Sequence, residues 1–345
     1  MKESISWEQF QLRLLNILQG HVGEQNFAKW LAEVLGISMT AAYKKLSTQS
    51  KLTVSDLMIL ASKVQFSLDQ AMASKLSPIP FMSDAIRRQP EHPAEYFQNL
   101  ANHLEFLKDL KNLNYMLLAN EVPVFHFMWF PELIYFKVFV WNYTVWQKDF
   151  GSKGLKYEPD LFRKDKSLND AILRCRSIYY TFPGTEIWNN RMFDLILDQI
   201  KYFVHLRSFK SKNDIVALLD ELYKLWKHLE TMAESAVKHN QSDPVKSPPI
   251  RIYNNDLISN SETILVNSDQ LNALFLSVDY PNIIRTHDKR MTDHSKNWLN
   301  QTLKHCNLIS GEGERERQEV LQTYRIHFEK SEEEIQALMK YKSYG

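Results

Sequence analysis

The stretch LAEVLGISMTAAYKKLSTQSKLTVSDLMILASKVQFSLDQAM, Leu31 to Met72, decides how the N-terminal part of the chain is read. Leu31, Ala32 and Leu35 follow Phe27 at helical spacing and predict a helix with one packed face. Ala32 is small and lets a second helix approach closely. Gly36 ends the first helix, because glycine tolerates the positive φ of a tight turn. Ile37 plugs the core beneath that turn. Ser38 is a good N-cap for the next helix, whose exposed first amides can face an anion. That helix is predicted over about Met39 to Ser47, with Ala42 and Leu46 on its inner face. A further helix starts near Thr53, with Asp56 three positions on as a capping-box-like acid, and carries Leu57, Leu60, Ala61 and Val64. Upstream, Leu12, Leu15, Ile17 and Leu18 predict another helix.

A packed helix, a tight turn and a second helix with a polar outer face make a helix-turn-helix, the unit that lays its second helix in the major groove of DNA. The candidate DNA contacts are Ser38, Met39, Thr40, Ala41, Tyr43, Lys44 and Lys45 on or capping that helix, with Gln49 and Lys51 in the loop after it. Thr and Ala can touch a thymine methyl or a base edge, Tyr can reach base or phosphate, and Lys usually meets phosphate. A packed helical domain of this kind also serves as a protein-binding module, and that alternative stays open.

The same residues resemble the repressor-type (lambda-repressor-like) helix-turn-helix superfamily, in the variant common in Bacteroidota. The resemblance rests on Gly36-Ile37-Ser38, Ala41-Ala42-Tyr43-Lys44-Lys45-Leu46, Leu52-Thr53 and Ser67-Leu68-Asp69. The chain departs from the pattern at the loop, with Thr48-Gln49 where Gly-Glu is usual and Lys51 where Pro is usual. A second segment, ANEVPVFHFMWFPELIYFKVFVW from Ala119 to Trp141, is similar to one that follows this unit in many such regulators. The resemblance implies a transcriptional regulator that binds double-stranded DNA, with a long helical region behind its DNA-binding domain.

The rest of the chain divides by composition. The fold expected is mainly α, with a helix-turn-helix domain of four or five helices over 1–76 and a linker over 77–93, marked by LSPIP at Leu76 to Pro80. A helical dimerisation or sensor region is expected over 94–240. Its stripes include Tyr96, Leu100, His103, Leu104 and Leu107, then a nearly all-apolar helix from Phe130 to Trp146. Long helical patterns follow over Leu168 to Tyr180, Asn189 to Phe209 and Asn213 to about Lys238, while Tyr115 to Ala119 reads as either strand or helix. After the proline-rich HNQSDPVKSPP (His239 to Pro249), a small α+β region is expected over 250–345. Its strands are predicted at Ile250 to Tyr253, Thr263 to Val266 and Ala273 to Val278, and its helices at Thr292 to His305 and Glu312 to Tyr324. The tail after Ser331 reads as a charged helix or a frayed end.

Composition narrows the function classes. A formal net charge of +1 excludes a whole-protein basic field, so nucleic-acid contact must come from a local patch. Two cysteines, Cys175 and Cys306, are too few for a disulfide scaffold and point to a reducing compartment. The start has no apolar signal segment, and Val122 to Trp146 is interrupted by Pro123, His126, Pro131, Glu132 and Lys137, so a membrane span is not expected and a cytoplasmic location is. SGEGERER at Ser310 to Arg317 lacks phosphate-loop spacing and reads as a solvated helix start. His287, Asp288, Asp293 and His294 lack a fourth ligand and read as a polar turn into a helix capped by Thr292 or Asp293. His126 reads as a satisfied core histidine, and Trp129, Trp141, Tyr143 and Trp146 as core aromatics. No catalytic, cofactor or metal site is expected. The expected partners are DNA, a second copy of the chain and an unidentified small-molecule or protein effector. The dimer surface is expected on Phe193 to Phe203 or Leu218 to Trp226.

Overall fold

The computed structural model describes residues 5–22, 26–64, 66, 68–72, 79–83, 89–148, 156–239, 247–257 and 261–341. The chain is mainly helical and divides into two compact units, Met1–Pro80 and Phe81–Gly345. Among the described residues no helix is long and apolar enough to cross a membrane.

Among the described residues the first unit holds five helices: α1 (Trp7–Val22), α2 (Phe27–Leu35), α3 (Met39–Leu46), α4 (Val54–Lys63) and α5 (Leu68–Met72). Their inner faces bury Leu14, Leu15, Leu18, Leu31, Ala32, Ala42 and Leu60 in one core. Leu12, read as part of the apolar stripe of α1, is exposed, and Gln11 takes the inner position instead. Ala61 likewise faces solvent.

The second unit is built on a seven-stranded sheet in the order β6-β5-β4-β1-β2-β3-β7. The strands are β1 (Asn114–Leu118), β2 (Gly184–Trp188), β3 (Ile250–Asn254), β4 (Thr263–Asn267), β5 (Asn272–Ser277), β6 (Ile283–Thr286) and β7 (Asn307–Leu308). β1, β2 and β3 run parallel, and β4 to β6 and β7 extend the two edges in antiparallel fashion. The helices packed around the parallel strands are α6 (Pro93–Lys108), α7 (Val124–Phe127), α8 (Pro131–Trp141), α9 (Pro159–Lys164), α10 (Lys166–Tyr179), α11 (Asp194–His205) and α12 (Lys212–Ser235). Of these, α6 precedes β1, and α11 and α12 link β2 to β3. Tyr115, Leu117, Trp188 and Ile252 bury one face of the sheet in the large core. Met116, Leu118, Ile187 and Leu265 bury the other against Leu299 of α13 (Lys289–Leu303). A last helix, α14 (Glu314–Tyr341), packs on α11 and α12.

This sheet corrects the expected division at 240–250. β1, at the stretch left open between strand and helix, and β2 come from the part read as mostly helical, and β3 to β7 from the part read as a separate α+β region, yet they share one hydrogen-bonded ladder. A buried strand must pair its backbone on both sides, so neither part closes without the other. β2 lies between the helical readings of Leu168 to Tyr180 and Asn189 to Phe209, where no element is expected, and the second of these holds the helix Asp194–His205. The expected dimer surfaces are turned inward: Phe193, Ile196, Leu197, Ile200 and Phe203, and Leu218, Leu219, Leu222 and Leu225, are all buried in their own core. α13 is capped by Asp288, which accepts from the Arg290 amide, rather than by Thr292 or Asp293. The tail after Ser331 continues as helix to Tyr341. Of the two expected connectors, residues 77–78, 84–88 and 240–246 lie outside the described residues, as does Ser67. The first connector is tied down at Met82, which exchanges backbone hydrogen bonds with Arg285 at 2.7 and 2.8 Å.

Candidate nucleic-acid interface

Local chemistry fixes the α2–α3 pair. Gly36 has φ +63°, and its amide and that of Ile37 close on the last carbonyls of α2. The Ser38 hydroxyl accepts from the Ala41 amide at 3.2 Å and caps α3. Thr53 and Asp56 form a reciprocal capping box at the start of α4, with the Asp56 amide donating to Thr53 Oγ1 and the Thr53 amide donating to Asp56 Oδ2. Ala32 and Ala42, both buried, stand on the two helices and allow their close approach.

The structure places the predicted residues unequally. Ser38, Met39, Thr40, Tyr43 and Lys44 are exposed and Ala41 is half-buried, so they share the outer side and N-terminal end of α3. Gln49 and Lys51 are exposed in the loop that follows. Lys45 is the exception and corrects the expected set. Its side chain is buried, and its ammonium donates to Asp56 Oδ2 at 2.7 Å and to the Lys51 carbonyl at 2.9 Å. Lys45 therefore holds α3, the loop and α4 together and faces away from any ligand of the outer side. Burial works against the Asp56 carboxylate, but the Lys45 hydrogen bond and the Thr53 donors hold its carboxyl below the usual range.

A second clamp was not anticipated. Gln11 of α1 is fully buried, and its amide nitrogen donates to the carbonyls of Lys45 at 2.6 Å and Ser50 at 2.9 Å. Its Oε1 accepts from the Leu52 amide at 2.8 Å. Gln11 thus ties the end of α3 to the loop after it and satisfies the Ser50 carbonyl and the Leu52 amide, while the Lys45 carbonyl also accepts from the Thr48 amide at 3.2 Å. The signal in the sequence was a polar residue at the inner position of an apolar stripe, Gln11 with Leu14, Leu15 and Leu18. Thr48 of the same loop has φ +59°, in the left-handed region, at the position where the resembling pattern carries Gly. Lys51 sits with its ammonium 5.6 Å from the centre of the Trp7 ring.

The outcome is a polar outer side of α3 on a braced backbone. Hydroxyl, phenol and amide groups and the Lys44 and Lys51 ammonium groups project from backbone that buried polar contacts hold in place. It can hydrogen-bond base edges and neutralise phosphates, and Met39 with the Ala41 methyl can touch apolar base substituents. The first unit carries eight Lys and Arg against six Asp and Glu, and the internal Lys45–Asp56 pair leaves that small excess to the surface.

Elsewhere the residues singled out are structural. His126 is fully buried, with Nδ1 2.8 Å from the Tyr180 hydroxyl and Nε2 3.1 Å from Glu186 Oε2. Glu186 also accepts from Tyr179 Oη and Trp188 Nε1. Burial alone would raise its carboxyl, yet the His126 ring and the Tyr179 hydroxyl bring it down to about 2. Asp288 caps α13 and pairs with Arg290, and Asp293 pairs with Lys289. The solvated reading of SGEGERER needs correction at Ser310 and Arg317. Both are buried, and Arg317 donates to the carbonyls of Ile309 and Gly311 to close the turn before α14.

No family model, curated protein or solved structure matches the chain.

Proposed function

We propose that the chain is a sequence-specific DNA-binding transcriptional regulator whose first unit is a repressor-type helix-turn-helix domain, acting as a homodimer and not as an enzyme. The observation that carries this reading is the polar outer side of α3, set by Ser38 and Gly36 at its start and by Gln11 and Lys45 at its end. Thr40, Tyr43 and Lys44 read the site, with Ser38, Met39 and Ala41 at the start of the helix. Gln49 and Lys51 hold the backbone beside it. One such helix offers little interface, and two half-sites about 34 Å apart would supply the rest. Because the inner faces of α11 and α12 are consumed by the core, the dimer uses outward residues instead. The second unit serves dimerisation, sensing, or both.

The test is fluorescence anisotropy of the full chain with a duplex from the upstream region of its own gene, beside a scrambled duplex, over a salt series. Preference for the native duplex, abolished by changing Thr40, Tyr43 and Lys44 together, is the expected result. Equal or absent binding to both removes autoregulation at that site, and selection from random duplexes that enriches no sequence would refute DNA binding altogether.

A protein partner is the second reading. It is favoured by Val54 and Met58, one turn apart on α4 and 74% and 70% exposed, since apolar side chains this open suit a protein surface better than a phosphate backbone. Under that reading Val54→Asp with Met58→Asp disrupts function while the α3 substitutions do not.

A further inference from the structure

A chain of hydrogen-bonding groups runs through the second unit from the middle of the sheet to α12. Glu186, at the centre of β2, accepts from Tyr179 Oη and from Trp188 Nε1 at 2.7 Å. Its two oxygens lie 3.2 and 3.1 Å from Nε2 of His126 on α7. On the far side of that ring, His126 Nδ1 lies 2.8 Å from the hydroxyl of Tyr180 at the end of α10. The same hydroxyl lies 3.2 Å from Nε2 of His228 on α12. Glu186, His126, Tyr179 and Tyr180 are fully buried, while His228 is half-buried and its Nδ1 bonds to no described residue.

Donor and acceptor chemistry leaves this chain two complete arrangements. An ionised carboxylate only accepts, so His126 carries a proton on Nε2 in both. In the first, both imidazoles are neutral. His228 donates its Nε2 proton to Tyr180, and Tyr180 donates to the lone pair of His126 Nδ1. In the second, His126 is an imidazolium that donates from Nδ1 to Tyr180. Tyr180 then donates to His228 Nε2, and the one proton of His228 sits on Nδ1. Every group is satisfied either way, and the two arrangements differ by one proton.

The surroundings decide which ring holds that proton. His126 touches a carboxylate, and among the described residues His228 touches none. Burial, with His126 and His239 nearby, pushes His228 down to about 3, so it stays neutral. Two further cations bear on the chain. Arg176 of α10 lies 3.9 Å from the Trp129 ring centre, and Lys238, beyond α12, lies 3.6 Å from that of Tyr179. Tyr115 of β1 and Glu262, just before β4, both feel the charge of Glu186.

We infer that Glu186, His126, Tyr180 and His228 form a proton relay by which the sheet core exchanges one proton with solvent, His228 being the port, Tyr180 the carrier and His126 the store. A proton binds at His228 Nδ1, the Nε2 proton of His228 passes to Tyr180 Oη, and the Tyr180 proton passes to His126 Nδ1. His228 and Tyr180 end neutral, and the charge rests on His126 against Glu186. Acidity at α12 is thereby converted into a change of charge beside β2. The relay is independent of the DNA-binding reading, and its test needs no DNA.

The test is nitrogen-15 NMR of the full chain labelled at its histidine rings, over about pH 5 to 8, where histidine changes charge. His126→Gln and His228→Gln assign the two rings. As the pH falls, His126 should gain its second ring N–H while His228 stays neutral and moves its N–H from Nε2 to Nδ1, with one shared midpoint. Tyr180→Phe keeps the ring and removes the carrier, so His228 should lose that tautomer change while circular dichroism stays unchanged. If Tyr180→Phe does not fold, the titration of the parent decides alone. Burial lowers Lys238 to about 7, inside the same window, so the series is repeated in Lys238→Met, where the coupled change should persist. Conversion of His228 to an imidazolium, unchanged rings across the window, or a tautomer change that survives Tyr180→Phe overturns the relay. Loss of the coupled change in Lys238→Met assigns the proton to that lysine and overturns it as well.

Discussion

The Lys45 ammonium lies 2.7 Å from the Asp56 carboxylate, with both side chains almost wholly shielded from water. Two neighbouring lysines of one helix therefore have opposite roles: Lys44 points out, and Lys45 ties the α3 loop to the cap of α4.

Lys45→Ala is expected to destabilise the first unit by about 2 kcal/mol, since it strips the charged partner from Asp56 and the donor from the Lys51 carbonyl. Lys44→Ala should stay within about 0.5 kcal/mol of the parent in urea unfolding. If the DNA-binding proposal holds, Lys44→Ala instead lowers the slope of log affinity against log salt by about one. The Asp56 carboxyl is depressed in the folded state, so the stability it contributes is present above its ordinary range. That stability fades as the pH falls through its folded pKa. Equal urea midpoints for the two variants would contradict the division of labour.

Thr48 occupies the left-handed region at φ +59° with a β-branched side chain. That conformation costs about 1–2 kcal/mol for a non-glycine residue, while a glycine gives back about 0.5–1 kcal/mol through the greater freedom of its unfolded chain. Thr48→Gly should therefore stabilise the first unit by about 0.5–1 kcal/mol. A lower urea midpoint for Thr48→Gly would count against the strained loop.

The buried groups around Glu186 set a pH dependence for the second unit. Glu186 is held at about 2, below its ordinary 4.5, so its contribution is full above about 4.5 and is lost as the pH falls toward 2. Burial, with His126 nearby, pushes His228 down to about 3, so protonation favours the unfolded chain and stability falls between about 6.5 and 3 as acid is added. Lys238 is fully buried, with its ammonium 3.6 Å from the Tyr179 ring centre. Burial lowers it to about 7, an effect Glu186 only partly offsets. Stability attributable to Lys238 therefore rises with pH from about 7 to 10.5. Lys238→Met should raise the urea midpoint more at pH 6 than at pH 10, and Glu186→Gln should flatten the loss between pH 4.5 and 2. A Lys238→Met gain that did not shrink with rising pH would show that this lysine is not buried as an ammonium.

Much of the first unit was legible because its determinants are local. A serine cap, a Thr–Asp capping box and a glycine at a turn act within four residues, and the apolar period shows which side of each helix is buried. What escaped was the direction of single polar residues. Lysine reads as solvated by type, yet Lys45 lies one turn beyond Ala42 beside Leu46, on the inward edge of α3. Gln11 interrupts the stripe of α1, and only the folded loop shows that the Ser50 carbonyl and the Leu52 amide need it.

The sequence by itself therefore determined the helical units, most of the outer residues of α3 and the strands β3, β4 and β5, which turn residues and short periods mark, but not β6 or β7. Only the tertiary structure decided the second unit. β2 (GTEIW) is covered on both faces and so lacks the alternation that marks a half-exposed strand, and its central Glu186 reads as polar until His126, Tyr179 and Trp188 gather around it. The same is true of the inward turn of α11 and α12. These join residues far apart in the chain, and no local propensity encodes which partner buries which face.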